Sequence, residues 1–345
     1  MTCPPELISL VIKSGFALGV VTFVSLFVLL AIWLERKVAG HIQDRLGPME
    51  TGWHGWAQTI ADALKLLLKE DIIPSAADKP LFKLAPYIVF AGTMASFAVI
   101  PFAAALIGAD INIGVYYLVA VSSLVVIGIL MAGWSSNNKW ALYGAMRSAA
   151  QMVSYEIPIG LSLLVPIMLA GSLSMMDLVD LQKGGIHHWT IFSHLPFALV
   201  AFIIYFWASL AETNRTPFDL PEAESELVAG YHVEYSGMRF AMFFLAEYCN
   251  MFVVSAVATA LFLGGSFAPI PMLDVPIETS VIWHNVVGFL WFTFKATMLV
   301  LVQMWMRWTL PRLRVDQLMH ICWKVFLPFS FVNVLLVSLW IALKQ

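Results

Sequence analysis

The residues of this sequence best suited to carrying protons are gathered in one stretch. From Glu212 the chain reads Glu212-Thr-Asn-Arg215-Thr-Pro-Phe-Asp219-Leu-Pro-Glu222-Ala-Glu224-Ser-Glu226, and Glu234 follows, so six acids face a single arginine. Crowded carboxylates raise one another's pKa, while Arg215, three residues from Glu212, is expected to hold that acid ionised. Asp219 followed by Pro221 and Glu222 has the form of a helix start, in which Glu222 and Glu226 share a face and Glu224 points elsewhere. Such a cluster takes up or releases protons when a nearby charge changes. The plainer alternative is a solvated acidic loop, against which Phe218, Leu220 and Leu227 suggest partial burial.

Three more ionisable residues interrupt long apolar runs: Glu156 opens one, Glu247 lies about a third of the way into another, and Lys295 is central in a third. Charges in such runs are rare and mark an ion or substrate path by default. Lys295 is about 12 residues, roughly 18 Å at helical rise, from either end of its run. It must pair with an acid, touch internal water or lose its proton; a fixed Lys–Glu pair joining helices competes with a relay. Glu35-Arg36-Lys37 ends the first run, where charges commonly anchor a helix. His187, His188 and His194 lack a supporting carboxylate pattern and read as a surface loop, not a metal site. Cys3, Cys249 and Cys322 share no short spacing, so a redox cofactor is expected on another chain.

The elements that must position these groups follow from composition. The chain of 345 residues is 60% hydrophobic and 12% charged, about half the charged fraction of a soluble domain. That excludes a cytosolic enzyme, a nucleic-acid binder with a basic face and a disordered linker; the bilayer itself is the expected surroundings. Eight runs reach the roughly 20 residues of a span: about 14–34, 86–106, 113–132, 152–170, 194–210, 238–263, 283–306 and 322–343. Lipid offers the backbone no partner, and continuous runs without alternation select helices over a barrel. The expectation is one polytopic all-α membrane domain over 1–345, whose opening run is a retained span rather than a signal peptide.

Basic residues fix the orientation. Arg36, Lys37, Arg45, Lys65, Lys69, Lys79 and Lys83 follow the first span, Lys139 and Arg147 the third, Arg215 and Arg239 the fifth, and Arg307, Arg312, Arg314 and Lys324 the seventh. The opposite connections hold only Lys183. Both termini are therefore expected outside, and the acidic segment 211–237 inside. In Trp53–Glu70, Trp56, Ile60, Ala63, Leu64, Leu67 and Leu68 recur at helical spacing, predicting an amphipathic helix in the interface, or else a docked surface helix. The outer loop 172–193 carries no readable motif.

Two long charged segments carry a family resemblance. Glu35-Arg-Lys-Val-Ala-Gly-His-Ile-Gln-Asp-Arg-Leu-Gly-Pro48 and Ala211-Glu-Thr-Asn-Arg-Thr-Pro-Phe-Asp-Leu-Pro-Glu-Ala-Glu-Ser-Glu-Leu227 resemble the two signatures of the NADH:quinone oxidoreductase H-subunit family, the heel of the respiratory complex I membrane arm. Ala61–Leu66, Glu234-Tyr235, Ala246–Tyr248 and Pro311–Met319 add to the likeness, which covers nearly the whole chain. The resemblance implies a chamber, shared with peripheral subunits, into which a quinone (ubiquinone or menaquinone) enters from the membrane and is reduced. It makes Arg36, Arg45, Asp62, Lys65, Phe244 and Arg307 chamber or entrance residues. It makes Glu212, Glu222, Glu224, Glu226 and Glu234, with Asp219 and the positioning Arg215, a route towards the membrane. Glu156 beside Tyr155, and Glu247, match buried acids leading to antiporter-like neighbours; Glu35 and Lys295 are grouped with them.

The resemblance also implies partners: peripheral-arm subunits with the terminal iron–sulfur cluster, the quinone-headgroup site and flavin, and small and antiporter-like membrane subunits. It implies the inner membrane of a bacterium, with an organellar inner membrane as the alternative. Membrane-bound hydrogenases and ferredoxin- or F420-linked complexes have a related subunit, but tend to lack parts of the second signature, which is complete here. A stand-alone secondary transporter would show repeated halves and interrupted helices, and neither is visible. Met49-Glu50 after Gly47-Pro48, and the bulky Trp53 and Trp56, depart from the family pattern at the entrance.

Overall fold

A computed structural model describes residues 5–220, 228–274 and 280–344 of the chain. Among these residues all regular structure is helical, apart from one isolated bridge between Ala103 and Leu106. The helices are α1 (Pro5–Ile42), α2 (Gln58–Leu68), α3 (Lys79–Ser96), α4 (Gly114–Ser135), α5 (Lys139–Ala170), α6 (Met175–Asp180), α7 (Thr190–Ser193), α8 (Phe197–Glu212), α9 (Gly237–Phe262), α10 (Val281–Thr309), α11 (Val315–Ile321) and α12 (Leu327–Lys344). A π-helical turn, Cys322–Phe326, joins the last two into one continuous rod.

Seven of these segments are long and apolar enough to cross a membrane. Of the eight expected runs, the fifth forms the shorter α8, of 16 residues. At 1.5 Å per residue α8 is about 24 Å long, less than the ~30 Å hydrocarbon core. Its last residue, Glu212, is buried.

Three boundaries differ from those expected, each for a local reason. The second span begins earlier, at Lys79, with proline in the first turn, and ends by Val99, before the loop that follows. The fourth begins at Lys139, because Asn138 caps it: the Asn138 side chain accepts a hydrogen bond from the Trp140 N–H at 2.9 Å. Glu156 thus lies near the middle of a 32-residue helix rather than at its start. The amphipathic helix is confined to α2, because Gly52, His54 and Gly55 all have positive φ and break the preceding turn.

Helix α9 is the most buried of the long helices, and α12 the least. It packs against α1, α2, α3, α8 and α10, while α5 packs against α4, α8 and α12. One apolar core runs from α1 through α9 and α10, with Phe27, Phe97, Phe102 and Phe252 at its centre. A second core joins α3, α4, α5 and the start of α9. The two small cavities at the end of α8 are lined one by residues of the first core and the other by residues of the second.

Candidate functional site

The C-terminal end of α1 forms one wall of an open cavity of about 640 Å³. Behind Ile42 the chain doubles back: the Arg45 N–H donates to the Gly40 carbonyl at 2.7 Å, and Gly47 takes a positive φ. A Cβ on Gly40 would stand 2.8 Å from the Arg45 carbonyl, so the turn requires glycine there. The fold returns Arg45, Gly47 and Pro48 alongside Glu35 and Arg36, and α9 and α10 contribute Phe244, Tyr248 and Arg307. The lining carries three guanidinium groups and one carboxylate, so it presents net positive charge.

That carboxylate, Glu35, is buried and fully engaged. It accepts a hydrogen bond from the Tyr248 hydroxyl at 2.7 Å, from Arg215 Nη1 at 3.2 Å to each oxygen, and from Arg307. The Arg215 guanidinium also lies 4.4 Å from the centre of the Tyr248 ring. Arg36, one residue on, pairs instead with Asp62 of α2 at 2.6 Å, and Gln58 donates to the same carboxylate at 3.1 Å. Lys65, one turn further along α2, is exposed and outside the lining.

Arg215 lies on a buried turn that leaves the end of α8. Glu212, Thr213, Asn214, Arg215 and Asp219 are all less than 9% exposed. Gln151 of α5 secures this turn, donating to the carbonyls of Ala211 and Phe218, each at 2.8 Å. The far side is tied to the α10–α11 connection, where Arg312 pairs with Asp219 at 3.2 Å and the Leu313 N–H donates to Pro217. Spacing alone sets Arg215 to steady Glu212, three positions away. Its guanidinium instead reaches Glu35, because the turn directs it towards α1. None of the ion pairs among the described residues involves Glu212.

From Glu212 two narrow cavities open, each of about 20 Å³, room for about one water. Glu156, Tyr205 and Asn250 share the first with Glu212; Glu247, Tyr231 and Asn250 share the second. Ser123 of α4 donates to Glu156 at 3.4 Å, and the Tyr231 hydroxyl donates to Glu247 at 3.1 Å. Three acids from three helices thus converge, with Glu212 and Asn250 common to both cavities. Glu234 lines neither cavity and accepts from Asn138 Nδ2 at 2.6 Å. Its neighbour Tyr235 stacks on Phe82 and donates to the Phe82 carbonyl. Burial pushes this phenol up to about 12, so it remains a proton donor at neutral pH.

Two expected members stand apart. Tyr155 precedes Glu156 but points about 100° around the helix, and its hydroxyl donates to the Leu318 carbonyl at 2.9 Å. Among the described residues Lys295 forms no ion pair: it donates to the carbonyls of Leu263 and Phe267, at 2.7 and 2.9 Å, and lies 4.7 Å from the centre of the Trp189 ring. It closes off the end of α9, where helical carbonyls lack partners. Glu222, Glu224 and Glu226 lie outside the described residues. Tyr248, Asn250, Tyr231, Gln151 and Ser123 escape the sequence reading. A polar residue in mid-span, such as Asn250 three positions after Glu247, is a usable signal; Ser123 offers none.

The NADH dehydrogenase family model matches residues 16–338. The chain is 54% identical to the NADH-quinone oxidoreductase H subunit of Chlorobaculum tepidum over 322 residues, covering 92% of this chain and 89% of that protein. The chain belongs to the NADH-quinone oxidoreductase H-subunit family. Other members are similarly near: that of a Geobacillus species is 50% identical, covering 97% of this chain and 96% of its own. That of Anaeromyxobacter dehalogenans is 48% identical, covering 96% and 82%. The family match takes in the cavity at α1, the buried turn after α8 and the converging acids.

Proposed function

We propose that this chain forms the membrane side of a quinone chamber and couples quinone reduction there to proton movement through Glu212, Glu156 and Glu247. One observation carries this reading: a single four-residue stretch holds both Arg215, which binds the chamber carboxylate Glu35, and Glu212, which opens onto both acid-lined cavities. In this reading α8 is an eighth crossing, both termini face outward, and the whole chain works as one polytopic domain in a bacterial inner membrane. Peripheral subunits with an iron–sulfur cluster supply electrons, and antiporter-like subunits receive the signal.

A quinone takes up two electrons and two protons on reduction. The guanidinium groups of Arg36, Arg45 and Arg307 favour added negative charge in the cavity. A change in that charge alters the hold of Arg215 and Arg307 on Glu35. Any movement of Arg215 is transmitted to Glu212 by the short buried turn between them. Glu212 then exchanges its proton with Glu156 or Glu247 through a water in each narrow cavity.

The test is Glu212→Gln in the assembled complex, reconstituted into vesicles. The expected result is loss of quinone-linked proton uptake, with NADH oxidation by a water-soluble artificial acceptor retained. Pumping at the unaltered ratio of protons to electrons would overturn the reading.

A further inference from the structure

On the far side of α1 from the chamber lies a second groove, of about 800 Å³, which shares only Leu46 with the first. Three tryptophans shape it: Trp33 from α1, and Trp53 and Trp56 from the turn before α2. Trp53 is 81% exposed and Trp56 56% exposed. The Trp33 indole N–H donates to the His54 carbonyl at 3.2 Å, which fixes that ring against the turn. Leaving the rings of Trp53 and Trp56 open to water would be costly. At the bilayer interface, where apolar rings meet lipid and their N–H groups meet headgroups, they are stable.

Two features identify the occupant. The tryptophans continue the exposed apolar face of α2, where Ile60, Leu64 and Leu67 follow at helical spacing, so the groove opens onto the surface this helix presents to lipid. Its polar end carries the Lys37 ammonium and the hydrogen-bonding imidazole of His41, with no carboxylate in the lining. The Lys37 ammonium donates to the Leu46 carbonyl at 3.3 Å and to the Met49 thioether at 3.0 Å. Among the described residues no acid balances its charge. Sulfur is a weak acceptor, and an ammonium has three protons to give.

We propose that this groove binds one anionic phospholipid, its phosphate at Lys37 and His41 and an acyl chain across Trp33, Trp53 and Trp56. The assignment accounts for the bulky Trp53 and Trp56, which the chamber does not use. A bound lipid there would brace the outer flank of the turn whose inner flank, Arg45 to Pro48, lines the chamber.

The test uses the intact complex in phosphatidylcholine nanodiscs, doped with phosphatidylglycerol or phosphatidylcholine carrying a photoreactive acyl chain. Crosslinks are mapped by mass spectrometry of the peptides covering residues 33–56. Phosphatidylglycerol is expected to label this segment about 5-fold more than phosphatidylcholine, the factor for one basic residue meeting an anionic headgroup. The double variant Lys37→Gln/His41→Gln should fall to the phosphatidylcholine level, and Lys37→Arg should keep the preference. Equal labelling by the two lipids in the unaltered complex would overturn the proposal without recourse to any variant. So would labelling unchanged in the double variant, labelling by a photoreactive quinone in place of lipid, or crosslinks to a protein subunit only.

Discussion

Glu35 is the residue on which the cavity wall depends, because two arginines and a tyrosine converge on it at a buried position. Removing one partner of a buried ion pair leaves an uncompensated charge and costs roughly 3–5 kcal/mol, whereas removing both costs much less. Arg215→Gln alone should therefore lower the temperature at which the purified complex dissociates. Glu35→Gln/Arg215→Gln should recover more than half of that loss, since Arg307, partly exposed, can be solvated on its own. The composition and spacing of the acidic segment reveal that ionisable groups collect here. They do not reveal that Arg215 serves Glu35, a partner 180 positions away. Local spacing favours Glu212, and only the packing of the buried turn against α1 redirects the side chain. Lys295 is similar: its depth in an apolar run is legible, but its carbonyl partners belong to a loop with no sequence signal.

At the scale of elements, the close approach of α5 to the segment 228–232 sets where Tyr231 meets Glu247. Gly144 permits it: a Cβ there would stand 2.8 Å from the Gly230 Cα and 3.0 Å from the Tyr231 nitrogen, both backbone atoms that cannot swing aside. Gly144→Ala should cost about 1–3 kcal/mol by overpacking and lower the temperature at which quinone reduction is half lost. Gly160→Ala on the same helix meets nothing within 4 Å and should be neutral or stabilising, by up to ~1 kcal/mol from helix propensity. Apolar runs give away the long helices because lipid leaves the backbone no other structure. Their ends are harder to read. A hydropathy window stops at polar residues, yet α5 continues through Arg147 and Gln151 to its Asn138 cap, and the α2 region breaks where glycines turn the chain.

Across the whole molecule, a positively lined cavity at one end of α1 and a row of acids between the two apolar cores are joined by one short turn. The α8 helix ends at Glu212, where both acid-lined cavities meet the turn that carries Arg215. The central claim is that these acids change protonation when quinone is reduced. Infrared difference spectroscopy of the intact complex, recorded as bound quinone is reduced, reads this directly through the C=O stretch of protonated carboxyl groups. A carboxyl band is expected to appear or shift on reduction and to be lost in both Glu212→Gln and Glu156→Gln. A carboxyl signal that is identical in the unaltered complex and both variants would contradict the claim.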